Sequence, residues 1–202
     1  MSVLAESERV TTMGTKAKDA PGRIGVRWAN RGNVRHLSRE GTKRVAMGLP
    51  LRPEDILWEG RGIPNIFHDE GEQFVCQVVF SEAQTPPIAY YLGLDNRTSL
   101  AEADTLASLS GEPTGNGYAR QAVNSDATDW TVSQDSGDYQ AKSKTVTFSA
   151  TGGSWGPVTK LFLCTVATGT SGKLLCSLAL SQSRTLASGE SLQADMTIKI
   201  SE

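Results

Sequence analysis

Apolar and polar residues alternate without interruption from Leu192 to Ile200, and this pattern restricts the fold more than any other feature of the sequence. On an extended strand, the apolar residues at every second position lie on one face and Gln, Asp, Thr and Lys lie on the other. A helix would distribute both sets around its axis. The segment is therefore predicted to be a strand with one buried face, which requires partner strands and a covering layer.

Further short apolar runs separated by turn signals recur through the second half of the chain. Twenty glycines among 202 residues, with abundant Ser and Thr after Leu100, are typical of an all-β protein. We predict a mainly β, antiparallel sandwich or jelly roll. The candidate strands are residues 88–94, 118–123, 128–133, 144–149, 158–166, 173–180 and 192–200.

Two segments predict short helices beside this sheet. Asp69 is a candidate cap before acidic residues and the apolar face formed by Phe74, Val75, Val78 and Val79. Residues 74–80 also alternate as a strand would, but the spacing favours a helix. Residues 100–109 predict the second helix, with a Thr or Ser cap before them and a Gly beyond them. Residues 52–55 predict one helical turn.

Residues 1–62 predict an extended basic arm in front of a β module formed by residues 63–202. Arginines recur every fourth residue from Arg23 to Arg39, but glycines and asparagines interrupt the stretch, and a Gly costs a helix roughly 1 kcal/mol. Few apolar residues are present to order the segment by burial. We expect the arm to be ordered by a partner, and residues 63–202 to fold without it.

The charge distribution indicates what such an arm binds. Residues 1–62 contain 12 Lys and Arg against 7 Asp and Glu, an excess of +5, and residues 63–202 contain 8 against 15, an excess of −7. A basic segment next to an acidic body predicts an acidic partner surface. We expect a protein surface, because the arm offers one aromatic residue, Trp28, and no recognition helix, and because the body would repel nucleic acid.

The three cysteines, Cys76, Cys164 and Cys176, are expected to be free. An odd number without a Cys-x-x-Cys motif argues against a disulfide framework and a zinc site. Cys164 and Cys176 lie equally far from Thr170, so a hairpin leaves a bond between them open as an alternative. The chain contains no apolar run of about 20 residues and begins without a signal-peptide pattern, so we expect a protein made in a cytosol, outside membranes.

No catalytic, metal or cofactor site is predicted. The two histidines, His36 and His68, have no convergent partners in the sequence, and no nucleophile-elbow, zinc-helix or phosphate-loop motif occurs. We expect His68 to pack at the start of a helix. The carboxylates of Asp126, Asp129, Asp135 and Asp138 are expected to be solvated. A calcium ion between their loops is the alternative, although their spacing matches no EF-hand loop.

Residues 112–123, Glu-Pro-Thr-Gly-Asn-Gly-Tyr-Ala-Arg-Gln-Ala-Val, resemble a segment common in tailed-phage proteins of the tail-fibre or virion structural type. Similar motifs continue in the same order, with upstream counterparts near residues 65–71 and 91–94, so the resemblance covers roughly residues 65–201. The downstream motifs are Lys-Thr-Val-Thr-Phe at 144–148, Trp-Gly at 155–156, Gly-Lys-Leu-Leu at 172–175 and Arg-Thr-Leu-Ala-Ser-Gly-Glu-Ser-Leu at 184–192.

This resemblance implies a non-enzymatic virion protein, assembled in a host cytoplasm and associated with the tail. Capsid decoration is the alternative, and a host-glycan-binding module centred on Trp130, Tyr139, Asp129 and Asp138 is an alternative of another class. We expect other virion proteins as partners and a homo-oligomer, with a trimer as one candidate. Predicted partner-docking residues are Arg23, Arg27, Trp28, Arg31, Arg35, Arg39, Lys43 and Arg44, and predicted structural residues are Tyr118, Arg120 and Trp155.

Overall fold

Eleven antiparallel strands and two short helices form residues 27–201, the part of the chain described by the computed structural model. The mainly β, antiparallel, sandwich-like fold class is confirmed. No helix within these residues has the length and apolar character of a membrane span. The elements are β1 (Arg27–Trp28), β2 (Arg31–Leu37), α1 (Arg39–Ala46), β3 (Ile56–Phe67), α2 (Asp69–Val79), β4 (Ala89–Asp95), β5 (Gln121–Asn124), β6 (Trp130–Asp135), β7 (Asp138–Ser143), β8 (Val146–Ser149), β9 (Trp155–Cys164), β10 (Leu174–Leu186) and β11 (Ser191–Ser201).

The long strand β3 belongs to both halves of the sandwich. Its end at Asn65–Phe67 pairs with β10, which continues the first half in the order β10, β9, β4, β5. Its beginning pairs with β2, which continues the second half in the order β2, β11, β7, β6, and β1 and β8 also pair with β11. One continuous strand therefore fixes the two halves relative to each other.

The main core fills the space between the two halves. β11 contributes Leu192, Ala194 and Met196, as its alternation predicts, and these residues are 1% exposed or less. Phe148 from β8 and Leu178 from β10 meet them from neighbouring strands. Burial of each such large apolar side chain contributes about 1.5–3 kcal/mol, so this cluster supplies much of the stability of the fold.

A second, smaller cluster covers the outer face of the first half. Phe162 and Cys164 of β9 point away from the main core and pack under Leu106 and Leu109, which belong to the connection between β4 and β5. Gly93 of β4 makes room for this layer, because a Cβ atom there would lie 2.2 Å from the Phe162 ring. Both faces of β9 are consequently buried.

Helix α2 confirms the helical interpretation of residues 69–79, although it begins differently from the prediction. His68, and not Asp69, occupies the N-cap position, while the acidic residues lie in the first turn as expected. Phe74 is buried in the main core. Gly71 lies against the backbone of Leu175, so the helix approaches β10 more closely than any side chain would permit.

Residues 27–62 differ from the predicted extended arm. β2 lies in the middle of the second half, paired with β11 on one side and β3 on the other. The sequence did not predict this strand, because Val34 and Leu37 are its two large apolar residues. The strand is held in place by hydrogen bonds to strands that are distant in sequence. Helix α1, capped by Ser38, covers Leu37. The predicted arm residues 1–26, with Arg23, lie outside the described residues.

The predicted helix at residues 100–109 is replaced by a turn and one 3-10 turn at Leu106–Ser108. The Asp104 carboxylate accepts hydrogen bonds from the backbone of Ala101 and from Arg97, which draws the chain into a turn. Strand β7, for which the sequence shows no alternation, pairs between β6 and β11.

All three cysteines are free, as expected. Cys164 lies opposite Leu174 in the β9–β10 ladder, and an irregularity between Leu174 and Cys176 shifts the register. Cys164 faces the small outer cluster and Cys176 faces the main core. The two thiols therefore lie on opposite faces of the sheet, which excludes a bond between them in this fold.

Candidate docking surfaces

Three of the predicted docking arginines lie together on the solvent-facing side of the second half. Arg31 and Arg35 alternate with the buried residues of β2, and Arg27 lies opposite Ser201, on the same side of β11 as Thr197. Lys142 of β7 lies opposite Thr197 on the same side. Together with Arg61, which meets Arg35 at a shared carboxylate, these residues form what we call the outer basic face.

Carboxylates on the outer basic face neutralise part of its charge. Glu59 binds Arg35 at 2.6 Å and Arg61 at 2.9 Å, and these two cations lower the pKa of the Glu59 carboxyl against the effect of its desolvation. Asp195 accepts a hydrogen bond from Asn33 at 2.8 Å and lies 3.7 Å from Lys142. Arg27 and Arg31 are exposed at the end of this face.

The neighbouring cations at the edge of this face form a mixed network. Lys199 lies between Asp135, at 2.8 Å, and Asp138, at 3.6 Å. With these three residues included, the face carries six cations against four carboxylates and remains basic. Lys199 and, at longer range, Arg31 lower the pKa of the Asp135 carboxyl, so the excess of positive charge is spread over the face, which as a whole is complementary to an acidic surface.

The remaining predicted docking residues lie on helix α1, where two are exposed and one has a structural role. Arg39 and Lys43 are exposed, and Lys43 lies 3.9 Å from Glu40 one turn away. Arg44 instead donates to the carbonyl of Pro50 at 2.8 Å and lies 3.3 Å from the buried Asp55 carboxylate. Arg44 therefore holds the loop that follows α1.

Trp28, which is one of the predicted docking residues, is partly buried and packs against the main core. Its ring stacks on Phe67 with centroids 4.2 Å apart and an angle of 15° between the planes. Its register partner is Ile200, whose alternation places it on the apolar side of β11. The apolar contact anchors β1 to the body and leaves Arg27, on the opposite side, in solvent.

Tyr118, Arg120 and Trp155 lie at one end of the sandwich and pack as a unit. The Tyr118 ring stacks on Phe148 and meets Trp155 edge to face. Its hydroxyl donates to Glu112 at 2.8 Å; burial and the Glu112 charge raise the pKa of the phenol, so it stays protonated. Arg120 donates two hydrogen bonds to the Glu112 carboxylate, of 2.9 and 2.6 Å.

A buried polar cluster, which the sequence gave no reason to expect, lies beneath the β4–β5 connection. His68 Nε2 is 2.8 Å from Ser177 Oγ, and its Nδ1 is 2.9 Å from the Ala101 carbonyl oxygen. Arg97 donates to Asp95 and to Ser177. The sequence showed only a histidine next to the start of a helix. It did not predict the hydrogen-bond partners of His68, because they are distant from it in sequence.

Ser177 and His68 are residue types that act as nucleophile and base in some enzymes, but their surroundings here differ from those of a catalytic pair. Both residues are fully buried, so no substrate reaches the hydroxyl. The Nδ1 atom lies against the Ala101 carbonyl oxygen, whereas the base of a catalytic triad holds a buried carboxylate at this position. Burial lowers the pKa of His68, which keeps the ring neutral. The pair joins β3 to β10 as a structural contact.

The residues of the predicted glycan site are not brought together. Trp130 is half-buried against Tyr90, whereas Tyr139 is exposed and lies about four residues farther along the hairpin, roughly 13 Å away. The Asp129 carboxylate binds Lys144 and the backbone of Asn124, both within 2.7 Å. Asp126 accepts from the backbone of Thr128 and Asp129. Within residues 27–201, no group of three or more metal-ligating side chains converges.

Comparison with known proteins finds one family that matches most of the described part of the chain. The sequence profile of the family described as "Podophage GP4 fiber I protein gp80" matches residues 68–198, well over half of the chain. The matched segment runs from the N-cap of α2 to β11 and includes both the buried polar cluster and the Tyr118–Arg120–Trp155 end. No curated protein matches the chain.

Proposed function

Because the chain belongs to the family of podophage GP4 fiber I proteins, we propose that it is a non-enzymatic structural component of the phage tail that docks onto a neighbouring virion protein. The observation that carries this proposal is the family match across residues 68–198. The fold agrees with a scaffold role, because the members of its serine–histidine pair are buried, bonded to each other and closed to solvent.

The outer basic face is the surface that we assign to docking. Arg27 and Arg31 extend into solvent from strands paired with β11, so binding a partner orders their side chains but little additional backbone. Exposed cations at the rim of an interface accelerate association with an acidic surface, and this electrostatic attraction weakens as the salt concentration rises. Arg39 and Lys43 lie on α1, beyond the other end of β2 from Arg31, so we assign them to a separate part of the docking surface.

Immunogold labelling of intact particles, with antibody against residues 100–202, tests the location. We expect gold at the tail, where a fibre-family protein belongs. Gold distributed over the head would contradict the tail assignment and would support the alternative of capsid decoration.

Charge reversal tests the docking surface separately from the location. We expect the double variant Arg27→Glu with Arg31→Glu to fold normally but to be incorporated into particles at least tenfold less, measured by quantitative mass spectrometry of particles purified from complemented infections. Arg52→Glu is the matched control, since Arg52 is 60% exposed on a loop beyond α1. Equal incorporation of both variants would exclude the outer basic face as the docking surface.

A further inference from the structure

Strand β6 forms an open edge of the sheet. Among residues 27–201 it pairs with β7 alone, through a two-residue turn in which Ser136 and Gly137 have φ values of 55° and 92°. In such a turn the flanking residues, Asp135 and Asp138, form a hydrogen-bonded pair. Hydrogen-bonded pairs then alternate along the hairpin, so the backbone N–H and C=O groups of Val132 and Gln134 point away from β7.

This edge lacks the features that usually prevent strands from pairing between molecules. β6 has no proline, no lysine or arginine and no bulge in its register with β7. Its exposed residues include Val132, which is 68% exposed. The other end of the strand order differs, because β5 has four residues and lies against β8.

We propose that β6 pairs with β6 of a second copy of the chain, antiparallel and around a two-fold axis through Ser133. In this register Val132 of each copy lies opposite Gln134 of the other, and each such pair exchanges two backbone hydrogen bonds. All four outward-pointing groups of each edge are used. The resulting interface is isologous, as is usual for dimers.

Charge and backbone geometry favour this register over those in which the strands are shifted by four residues in either direction. With the axis at Ser133, Thr131 lies opposite Asp135, and no two like charges face each other. An axis at Asp135 would place two carboxylates opposite each other, which is destabilising. An axis at Thr131 would require the Trp130 N–H, which already donates to the Asp126 carbonyl at 3.0 Å.

A cross-strand disulfide tests the register in the full chain. Ser133 would face its own symmetry mate in a non-hydrogen-bonded pair, where Cα atoms lie about 4.5 Å apart and a disulfide fits. We expect Ser133→Cys, in a Cys76→Ser background that removes the exposed thiol, to form covalent dimers under mild oxidation. Thr131→Cys is the matched control, and it should remain largely monomeric because its opposite residue is Asp135. Equal cross-linking of both variants would overturn the proposed register.

Solution mass tests the pairing itself. We expect the unmodified chain to sediment as a dimer, and Val132→Pro to weaken dimerisation by about tenfold or more, because proline removes an outward N–H without removing a bond to β7. Val132→Thr keeps that N–H and should stay dimeric. A chain that is monomeric or trimeric at high concentration, or a proline variant that dimerises normally, would overturn the proposal.

Discussion

At the scale of single residues, Arg120 connects several separate segments of the chain. Its guanidinium binds Glu112 twice and also donates to the carbonyls of Val166 at 3.0 Å and Gly169 at 2.9 Å. It also lies over the Phe162 ring, 5.3 Å from the centroid. A guanidinium that is 3% exposed is tolerated because these acceptors satisfy its donors.

Replacing this arginine should therefore be costly. We expect Arg120→Met to lower the free energy of unfolding by about 3–5 kcal/mol, because Glu112 and two carbonyls lose their donor. Urea denaturation measures this change. The matched control is Arg35→Met, whose ion pair with Glu59 is partly exposed and contributes about 0–1 kcal/mol. A loss for Arg120→Met no greater than that of the control would show that the cluster adds little stability.

Because of the buried His68 side chain, we expect the free energy of unfolding to decrease in acid. Burial lowers the pKa of His68 from its ordinary value of 6.5, so the unfolded chain binds a proton at a pH where the folded chain does not. Stability is then complete above about pH 6.5 and decreases as the pH falls from there through the lowered pKa. His36, whose pKa burial also lowers, acts in the same direction.

The expected result is a free energy of unfolding that decreases between pH 7 and pH 5, measured by urea denaturation at a series of pH values. His68→Gln should be less stable at pH 7 and should depend less steeply on pH. His36→Gln is the comparison that separates the two histidines. An unchanged slope in His68→Gln would assign the acid sensitivity to other groups.

At the scale of elements, the sequence predicts the strands and the helix that carry strong periodicity. β11 and α2 follow their apolar patterns because each buries one face in the main core. β2 and β7 carry almost no such pattern, since their position depends on backbone pairing with distant strands. The helix expected at residues 100–109 fails because the Asp104 carboxylate binds the backbone of Ala101 and Arg97, contacts that propensity does not encode.

Gly71 shows how closely α2 is fitted to β10. A Cβ atom at this position would lie 2.4 Å from the Leu175 carbonyl oxygen, and backbone atoms cannot move aside as a flexible side chain can. We expect Gly71→Ala to destabilise the protein by about 1–3 kcal/mol despite a gain of up to about 1 kcal/mol in helix propensity. Gln73→Ala, at an exposed position of the same helix, should change stability by less than about 0.5 kcal/mol in the same thermal or urea unfolding assay. A stabilised Gly71→Ala would show that the helix can shift.

At the scale of the whole molecule, residues 27–62 contribute to the fold as well as to the docking surface that we propose. The sequence identified the basic character of residues 23–44, but not that Arg27 and Arg31 extend from paired strands, or that Trp28 and Arg44 are used internally. Those assignments depend on Phe67, which lies several elements away from Trp28, and on Asp55, which a loop brings back to Arg44. Charge can be read from composition, whereas exposure is decided by the fold.

Deletion of residues 1–62 should consequently prevent folding. The cut removes β1, β2, α1 and the part of β3 that pairs with β2, and leaves β11 without its central partner. We expect no cooperative thermal unfolding and little near-ultraviolet circular dichroism. Deletion of residues 1–26, which keeps every described strand, is the control and should unfold cooperatively. A cooperative transition in the larger deletion would mean that residues 63–202 fold without β2.

The pairing of β1 with the end of β11 has a consequence for the order of the chain. Arg27 lies directly opposite Ser201, so the first and last described strands meet at one point on the surface. A linker of a few residues would join them, and new ends opened at the exposed Gly152 turn would leave every strand whole. The fold is thus suited to circular permutation, and its architecture does not depend on the point at which the polypeptide starts.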